Sequence, residues 1–561
     1  MPPPSESTSS HASGRRGADA LIAALRSAGV TQVFTLSGNH IMPVFDAAIG
    51  SGLTLVHTRH EAATVHMADA YARISGQVGI ALVTGGPGHA NAVSALYTAA
   101  MAEAPVVLLS GHAPHDQLGR GAFQEMRQVE MAAPVCKAAW ACESADAVAA
   151  DIAHAIRIAR SGRPGPVHLS LPTDVLDKAC TKALPEPAAF EREAMPLDAA
   201  AAAAMLQRLA AAQRPLILAG PASMTRPGRA ALAALEDASG IPVVGMESPR
   251  GVADASLGAF AQMLAQADAV LLLGKRVDFT LKFGQAPFPA DAVVMQIDAE
   301  PAEIERARQA LGARLQLTAS ADAHEALMAL TALSAATRPH GAAAWRADVR
   351  SAVAFRPAAW HGARSEHPGR LHPVQMLRPL QALLDSHPDA VLVCDGGEIG
   401  QWAMACLSAP HRVNNGVAGS IGSGLPYALA ARVAQPQAPV VAVMGDGTVG
   451  FHIAEFDTAV RCGLGFVAVI GNDARWNAEY QIQLREYGKD RLLGCELSPT
   501  RYDAVAVAFG AWGALVTDPA DMATTAQAAL ASGQPACVNV MIEGVPAPVI
   551  TMRQTAARPV H

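Results

Sequence analysis

The stretch VVAVMGDGTVGFHIAEFDTAVRCGLGFVAVIGNDARWN, residues 440–477, decides the fold class. It opens on an apolar run rich in β-branched residues, Val440–Met444, that breaks at Gly445-Asp446-Gly447. The pattern then predicts a helix beginning near His452 and a second strand, Phe466–Ile470, running out on Asn472-Asp473. Strand, turn, helix and strand in this order form a βαβ unit, whose right-handed crossover brings both strand ends to one sheet edge. Glycines at 445 and 447 let the backbone approach an anion, and the helix start offers free N–H groups. Asp446 and Asp473 add two hard carboxylates at that edge, suited to Mg²⁺ or Ca²⁺. Alone, Gly-Asp-Gly reads equally well as a tight turn with an exposed Asp. The strand–helix–strand frame makes it a metal-plus-diphosphate site.

Outward from this stretch, the same rhythm of apolar run, Gly or Pro turn and Ala-rich helical stretch recurs in three segments. The first has candidate strands at Gln32–Leu36, Thr54–His57, Gly79–Val83 and Val106–Ser110. The second has Pro215–Ala219, Val243–Met246, Ala269–Leu273 and Val293–Ile297; the third has Ala390–Cys394, Val440–Met444, Phe466–Ile470 and Ala536–Ile542. That alternation predicts an α/β protein of three doubly wound parallel-sheet domains. Their expected bounds are 17–185, 197–335 and 372–545, with a linker over 336–371 and tails over 1–16 and 546–561. The Ala-rich stretch 199–212 is expected to be a surface helix.

Composition narrows the class. The 561 residues are 51% hydrophobic and 16% charged, which excludes a disordered or coiled-coil chain. A formal charge of −7 argues against a nucleic-acid binder, and no apolar run is long enough to span a bilayer. Eight scattered cysteines without a CxxC pair suit reduced thiols in a cytoplasmic protein.

The 440–477 stretch resembles the diphosphate-binding motif of thiamine-diphosphate enzymes, which opens on Gly-Asp-Gly and closes on paired Asn. The resemblance implies Mg²⁺ held by Asp446, Asp473 and the backbone carbonyl of Arg475, with Asn472 as an alternative ligand. Asp473 stands where the family has Asn. A second stretch, RHEAATVHMADAYAR followed by GIALVTGGPGHANAV, resembles the pyrimidine-binding domain of the acetolactate-synthase group and of benzaldehyde lyase. It implies that Glu61 is the glutamate that activates the cofactor at its aminopyrimidine, and that Gly85, Pro87 and Gly88 belong to the cofactor's Gly-rich loop. Read without the resemblance, Glu61 is a first-turn helix acid complementing the dipole. His40 resembles the lyase histidine that meets the substrate-derived alcohol, and Gln124 matches an active-site Gln of acetolactate synthases. Ser420 and Ile421 fall on the loop that carries a bulky residue under the cofactor. Gly396 and Gly397 fall on the second diphosphate-side loop, joined by Gly445, Gly447 and Thr448. Glu398 is left undecided between pocket and solvent, and His112 and His115 are read as loop residues.

The resemblance covers residues 17–545 and implies the three domains of the thiamine-diphosphate enzyme fold: pyrimidine-binding, central and diphosphate-binding. It implies thiamine diphosphate and Mg²⁺ as cofactors, with sites shared between subunits of a homodimer or homotetramer. The implied activity is acetolactate synthase-like, decarboxylating a 2-oxo acid with carboligation. The alternative is lysis of a 2-hydroxy ketone or 2-hydroxyacyl-CoA; one of another class is a non-catalytic cofactor-binding relative. In the family the central domain holds FAD or ADP in some members, but the middle segment has no GxGxxG and neither nucleotide is predicted. Arg276, in the loop resembling the family's Gly-Ala-Arg, is a candidate phosphate contact.

Overall fold

The computed structural model describes residues 14–334 and 342–552. The expected terminal tails and the start of the expected linker fall largely or partly on residues outside that range.

Among the described residues seventeen strands form three parallel sheets. The first contains β1 (Gln32–Thr35), β2 (Thr54–His57), β3 (Gly79–Val83), β4 (Val106–His112), β5 (Ala138–Ala141) and β6 (Val167–Pro172). The second contains β7 (Pro215–Ala219), β8 (Val243–Gly245), β9 (Ala269–Leu273), β10 (Val293–Asp298) and β11 (Leu315–Ser320). The third contains β12 (Val391–Cys394), β13 (His411–Asn414), β14 (Val440–Gly445), β15 (Val467–Asn472), β16 (Trp512–Val516) and β17 (Ala536–Met541).

The strand orders are β2-β1-β3-β4-β6-β5, β11-β10-β9-β7-β8 and β13-β12-β14-β15-β17-β16. The first and third are the same topology, and the second is that topology with one strand fewer. Each reverses its direction of winding between its first and third strands. At that reversal neighbouring loops diverge and leave a crevice at the carboxyl ends, where doubly wound sheets bind ligands.

Central strands such as Val391–Cys394 and Ala269–Leu273 are buried along their whole length, as strands covered on both faces must be. Each fully buried Val or Leu contributes about 1.5–3 kcal/mol. The Ala-rich helix is Ala199–Ala210, capped by Asp198 and burying Ala202, Met205, Leu206 and Leu209 on one face. Within the stretch read as a linker lies another helix, Ala342–Ala354. Its Trp345 is buried in the central core and donates to the Pro215 carbonyl at 2.9 Å.

The first and third domains share one apolar core through the helices Glu61–Ser75 and Gly424–Ala434. Tyr427 donates to Asp69 at 2.6 Å, and Arg73 reaches both Asp69 and the Asn414 carbonyl. Hydrogen bonds to a charged group contribute about 1.5–3 kcal/mol each, so this contact fixes the relative placement of the two domains.

Candidate active site

β14 delivers Gly445, and a four-residue helical turn, Asp446–Val449, follows at once. The longer helix starts at Glu455, so the expected start near His452 is corrected. Gly450 and the bend after it separate the two. β15 runs to Asn472 and places Asp473 beside Asp446 at the same sheet edge.

Both acids are buried and hydrogen-bonded to each other, and the Arg475 amide donates to Asp446 at 3.2 Å. Burial pushes both pKa values up, and at Asp473 the charge of the neighbouring Asp446 adds to it. A divalent cation offsets that charge, so the donor set fits Mg²⁺. Among the described residues no group of three His, Cys, Asp or Glu is placed to hold a metal ion. Two carboxylates completed by carbonyl and phosphate oxygens are how Mg²⁺ is usually held.

The acids lie in a cleft of about 70 Å³ whose lining includes Gly397, Ile421, Gly445, Gly447, Thr448 and Arg475. Gly396 has φ +101°, and a Cβ there would stand 2.8 Å from Thr448 Oγ1; at Gly447 it would strike the Trp476 ring at 2.7 Å. Glycine at these positions lets the loops around the cleft pack this closely. Ser420 is not among the residues lining the cleft. Asn472 is fully buried, with its amide on Thr500 and Asn539 and its oxygen accepting from Ala474. Its hydrogen bonds are taken up by the fold, and Asp473, not Asn472, lines the cleft.

Glu398 also lines the cleft, 3.7 Å from Arg250, and burial raises its pKa. Asp395 accepts the backbone N–H groups of Gly396, Gly422 and Gly424, tying the loop bearing Ile421 to the end of β12. Its own pKa is pushed up to about 7 by burial.

The second cluster sits at the winding reversal of the first sheet, between β1 and β3. Glu61 is the first residue of the helix after β2, and Asn91 donates to its carboxylate at 3.0 Å. A Cβ at Gly88 would lie 3.3 Å from Glu61 Oε1 and 2.8 Å from Thr84 Cγ2. Gly85 packs on the Gly111 carbonyl, and Pro87 opens the next helix, Pro87–Met101. His40 Nδ1 is 3.2 Å from Thr84 Oγ1, and its ring stacks under Phe123. It is 3% exposed, and burial holds its pKa below the usual value. Gln124, with φ +58°, packs on Gly86. The structure thus brings Glu61, His40, Gln124 and the 84–88 loop together. His112 ends β4 rather than lying in a loop, and His115 pairs with Asp174.

The turn presenting Glu61 rests on the third domain of its own chain. Glu455 accepts the Arg59 amide at 2.9 Å and the Thr458 hydroxyl at 2.6 Å, while Arg461 donates to the His57 carbonyl at 2.8 Å. Yet every residue lining the Asp446–Asp473 cleft comes from the third domain, and Glu61 is not among them.

Asn91, Trp476 and Glu455 were not singled out from the sequence. Asn91 lies one helical turn beyond Gly88, and helical spacing from the Gly-rich loop was the signal available for it.

Three family models match in chain order. Residues 15–131 match the thiamine pyrophosphate enzyme N-terminal TPP binding domain, 202–330 the central domain and 395–540 the C-terminal TPP binding domain. The chain belongs to the thiamine pyrophosphate enzyme family. It is 34% identical to a probable acetolactate synthase of Mycobacterium bovis over 92% of this chain and 94% of that one. It is 30% identical to the human 2-hydroxyacyl-CoA lyase 2, covering 95% and 90%, and to the acetolactate synthase large subunit of Parasynechococcus marenigrum, covering 94% and 87%. This thiamine pyrophosphate enzyme therefore has thiamine diphosphate as its cofactor, and its three sheets are the family's three domains.

Proposed function

We propose that this enzyme decarboxylates a 2-oxo acid and ligates the remaining fragment to a second carbonyl, as an acetolactate synthase does. The observation that carries the reading is the pair of motif clusters, Glu61 with the 84–88 loop and Asp446 with Asp473, each at the winding reversal of its own sheet. Bound thiamine diphosphate supplies the electron sink for carbanion chemistry next to a carbonyl.

The chain's residues supply the rest. Asp446, Asp473 and the Arg475 carbonyl would hold Mg²⁺ and, through it, the diphosphate, with Gly396, Gly397, Gly445, Gly447 and Thr448 giving it room. Ile421 would support the cofactor, and Asp395 holds the loop that carries Ile421. Glu61, its carboxylate held in place by the Asn91 amide, would be the proton-carrying group toward the cofactor's aminopyrimidine. Gln124 is a non-titrating donor to a substrate oxygen.

That the cleft is lined by the third domain alone supports a site completed by Glu61 of a second copy, with at least a homodimer carrying two shared sites as the working unit. The eight cysteines are all free, which supports a reducing compartment such as the cytoplasm. No helix among the described residues is long and apolar enough to cross a membrane.

A second reading, lysis of a 2-hydroxy ketone or 2-hydroxyacyl-CoA, is favoured by His40 beside the 84–88 loop and by the lyase relatives. A proton NMR time course with thiamine diphosphate, Mg²⁺ and pyruvate separates the two. Acetolactate or acetoin that vanishes without the cofactor supports the first reading. Untouched pyruvate, with cleavage of a 2-hydroxyacyl substrate, supports the second.

A further inference from the structure

The central sheet has its own winding reversal, between β7 and β9, and this is where the family resemblance implies FAD or ADP. A nucleotide there needs space between the loops that follow the two strands, and backbone N–H groups or cations for its phosphates. In this chain the groups nearest the reversal are already engaged. Gly220 and Gly274 continue the β7–β9 pairing, a Cβ on Gly220 standing 2.1 Å from the Gly274 carbonyl oxygen, so open space begins only beyond them. The backbone N–H of Ala222, in the turn after β7, is already taken by Glu103 Oε2 at 3.0 Å.

Glu103 belongs to the first domain and comes from the loop before β4. Its other oxygen pairs with Arg163, which also pairs with Asp298 and donates to the Gly274 carbonyl at 3.2 Å. Glu103 and Arg163 are 4% and 8% exposed. Glu103 is also held at φ +58°, a strained conformation for a residue with a side chain. Strain retained at a buried charged residue marks a position that the surroundings enforce.

Beside this cluster a groove of about 310 Å³ runs between the first and central domains, and its arginines are Arg73, Arg160 and Arg192. Arg73 is paired with Asp69, and Arg192 with Asp322 and Glu325. Among the described residues only Arg160 of the three has no carboxylate against it. A polyphosphate entering the groove would face the Glu103 and Asp322 carboxylates that line it. Arg276, the phosphate contact suggested by sequence, is 3.4 Å from Glu303. Lys275, next to it, is 2% exposed and bonded to Thr280 at 2.5 Å.

We propose that the Glu103 carboxylate stands in for a nucleotide phosphate, locking the first domain to the central one, and that this enzyme takes neither FAD nor ADP in its central domain. The lock uses residues of one chain only and does not depend on which reaction the thiamine site performs.

The test begins with the wild-type protein purified from a flavin-replete host. The 450 nm absorbance and the nucleotide content released by heat are measured first, and ADP and FAD are then titrated separately by calorimetry. The expected result is no stoichiometric nucleotide and no saturable binding up to about 1 mM ligand, a concentration at which a useful site would be filled. Glu103→Gly removes the carboxylate and relieves the backbone strain. It is expected to bind ADP at least about tenfold more tightly than the wild-type limit, because the freed Ala222 N–H and an Arg163 left with Asp298 as its carboxylate partner then face an incoming anion. Glu103→Gln, which keeps the side-chain volume, is the second variant should the glycine form fail to fold. Wild type carrying stoichiometric FAD or ADP, or binding ADP as tightly as the variants do, overturns the proposal. Folded variants that gain no affinity overturn the role given to Glu103.

Discussion

Glu455 offers a quantitative test of how Glu61 is placed. Its side chain is 1% exposed and accepts both the Arg59 amide and the Thr458 hydroxyl. Glu455→Ala leaves both donors without their partner in a dry interface. At about 1–3 kcal/mol per stranded donor, and with Thr458 able to turn toward the His57 carbonyl, the expected loss is about 2–4 kcal/mol. For a large domain that lowers the melting temperature by about 4–16 °C. The turn over residues 57–60 also loosens, and a catalytic group misplaced by about 1 Å costs on the order of 100-fold in rate. Glu455→Gln keeps an acceptor for Arg59 and places a donor toward Thr458, so it is expected to retain stability to within about 1 kcal/mol and most of the rate. Hydrogen exchange of the peptide spanning residues 58–62 reads the Arg59 amide directly, in the protein without cofactor. Wild-type protection and wild-type kcat in Glu455→Ala would refute the reasoning.

Five further outcomes are expected. Gly88→Ala pushes a methyl group against Thr84 and toward Glu61, and is expected to cut kcat by more than about tenfold while circular dichroism stays that of the wild type. His40→Ala is expected to leave calorimetric cofactor affinity unchanged while slowing turnover. In wild type, an acid limb of the kcat/KM profile assigned to His40 should lie below about 6.5, because burial lowers its pKa and the neutral ring is the working form. Chelation is expected to abolish activity and Mg²⁺ to restore it. Asp473→Asn removes one of two facing carboxylates and should raise metal-free stability by on the order of 1–3 kcal/mol in thermal denaturation, so a lowered melting temperature would contradict that electrostatic account.

The sequence was legible where chemistry and burial coincide. All twelve expected strands form, because apolar runs such as Ala269–Leu273 are covered on both faces and carry a continuous signal. Strands β5, β11, β13 and β16 escaped notice because they lie at sheet edges. There the burial of segments such as Leu315–Ser320 is partial and residues like Gln316 and Thr318 dilute the pattern. β6 is interior but contains His168 and Ser170, polar residues that hide a buried strand. Asp446 and Asp473 could be paired because a βαβ unit dictates a common edge. The turn at 446–449 could not be foreseen, since four residues are too few for any periodicity. Contacts between distant parts of the chain left no local mark either. Glu455 supporting Arg59, and Glu103 reaching Arg163 and Ala222, exist only because three sheets pack in one arrangement.

The central claim is that Glu61 of one subunit works with Asp446 and Asp473 of another, and subunit mixing tests it most directly. Glu61→Gln and Asp446→Asn are each expected to be nearly inactive as homodimers. In a hybrid dimer one site carries both substitutions and the other carries neither. After random exchange of equal amounts, about a quarter of all sites are intact, and activity should return to about a quarter of wild type. Activity that stays at the level of the parents, although exchange is verified by native mass spectrometry, would place both residues in a site made by a single chain and contradict the account.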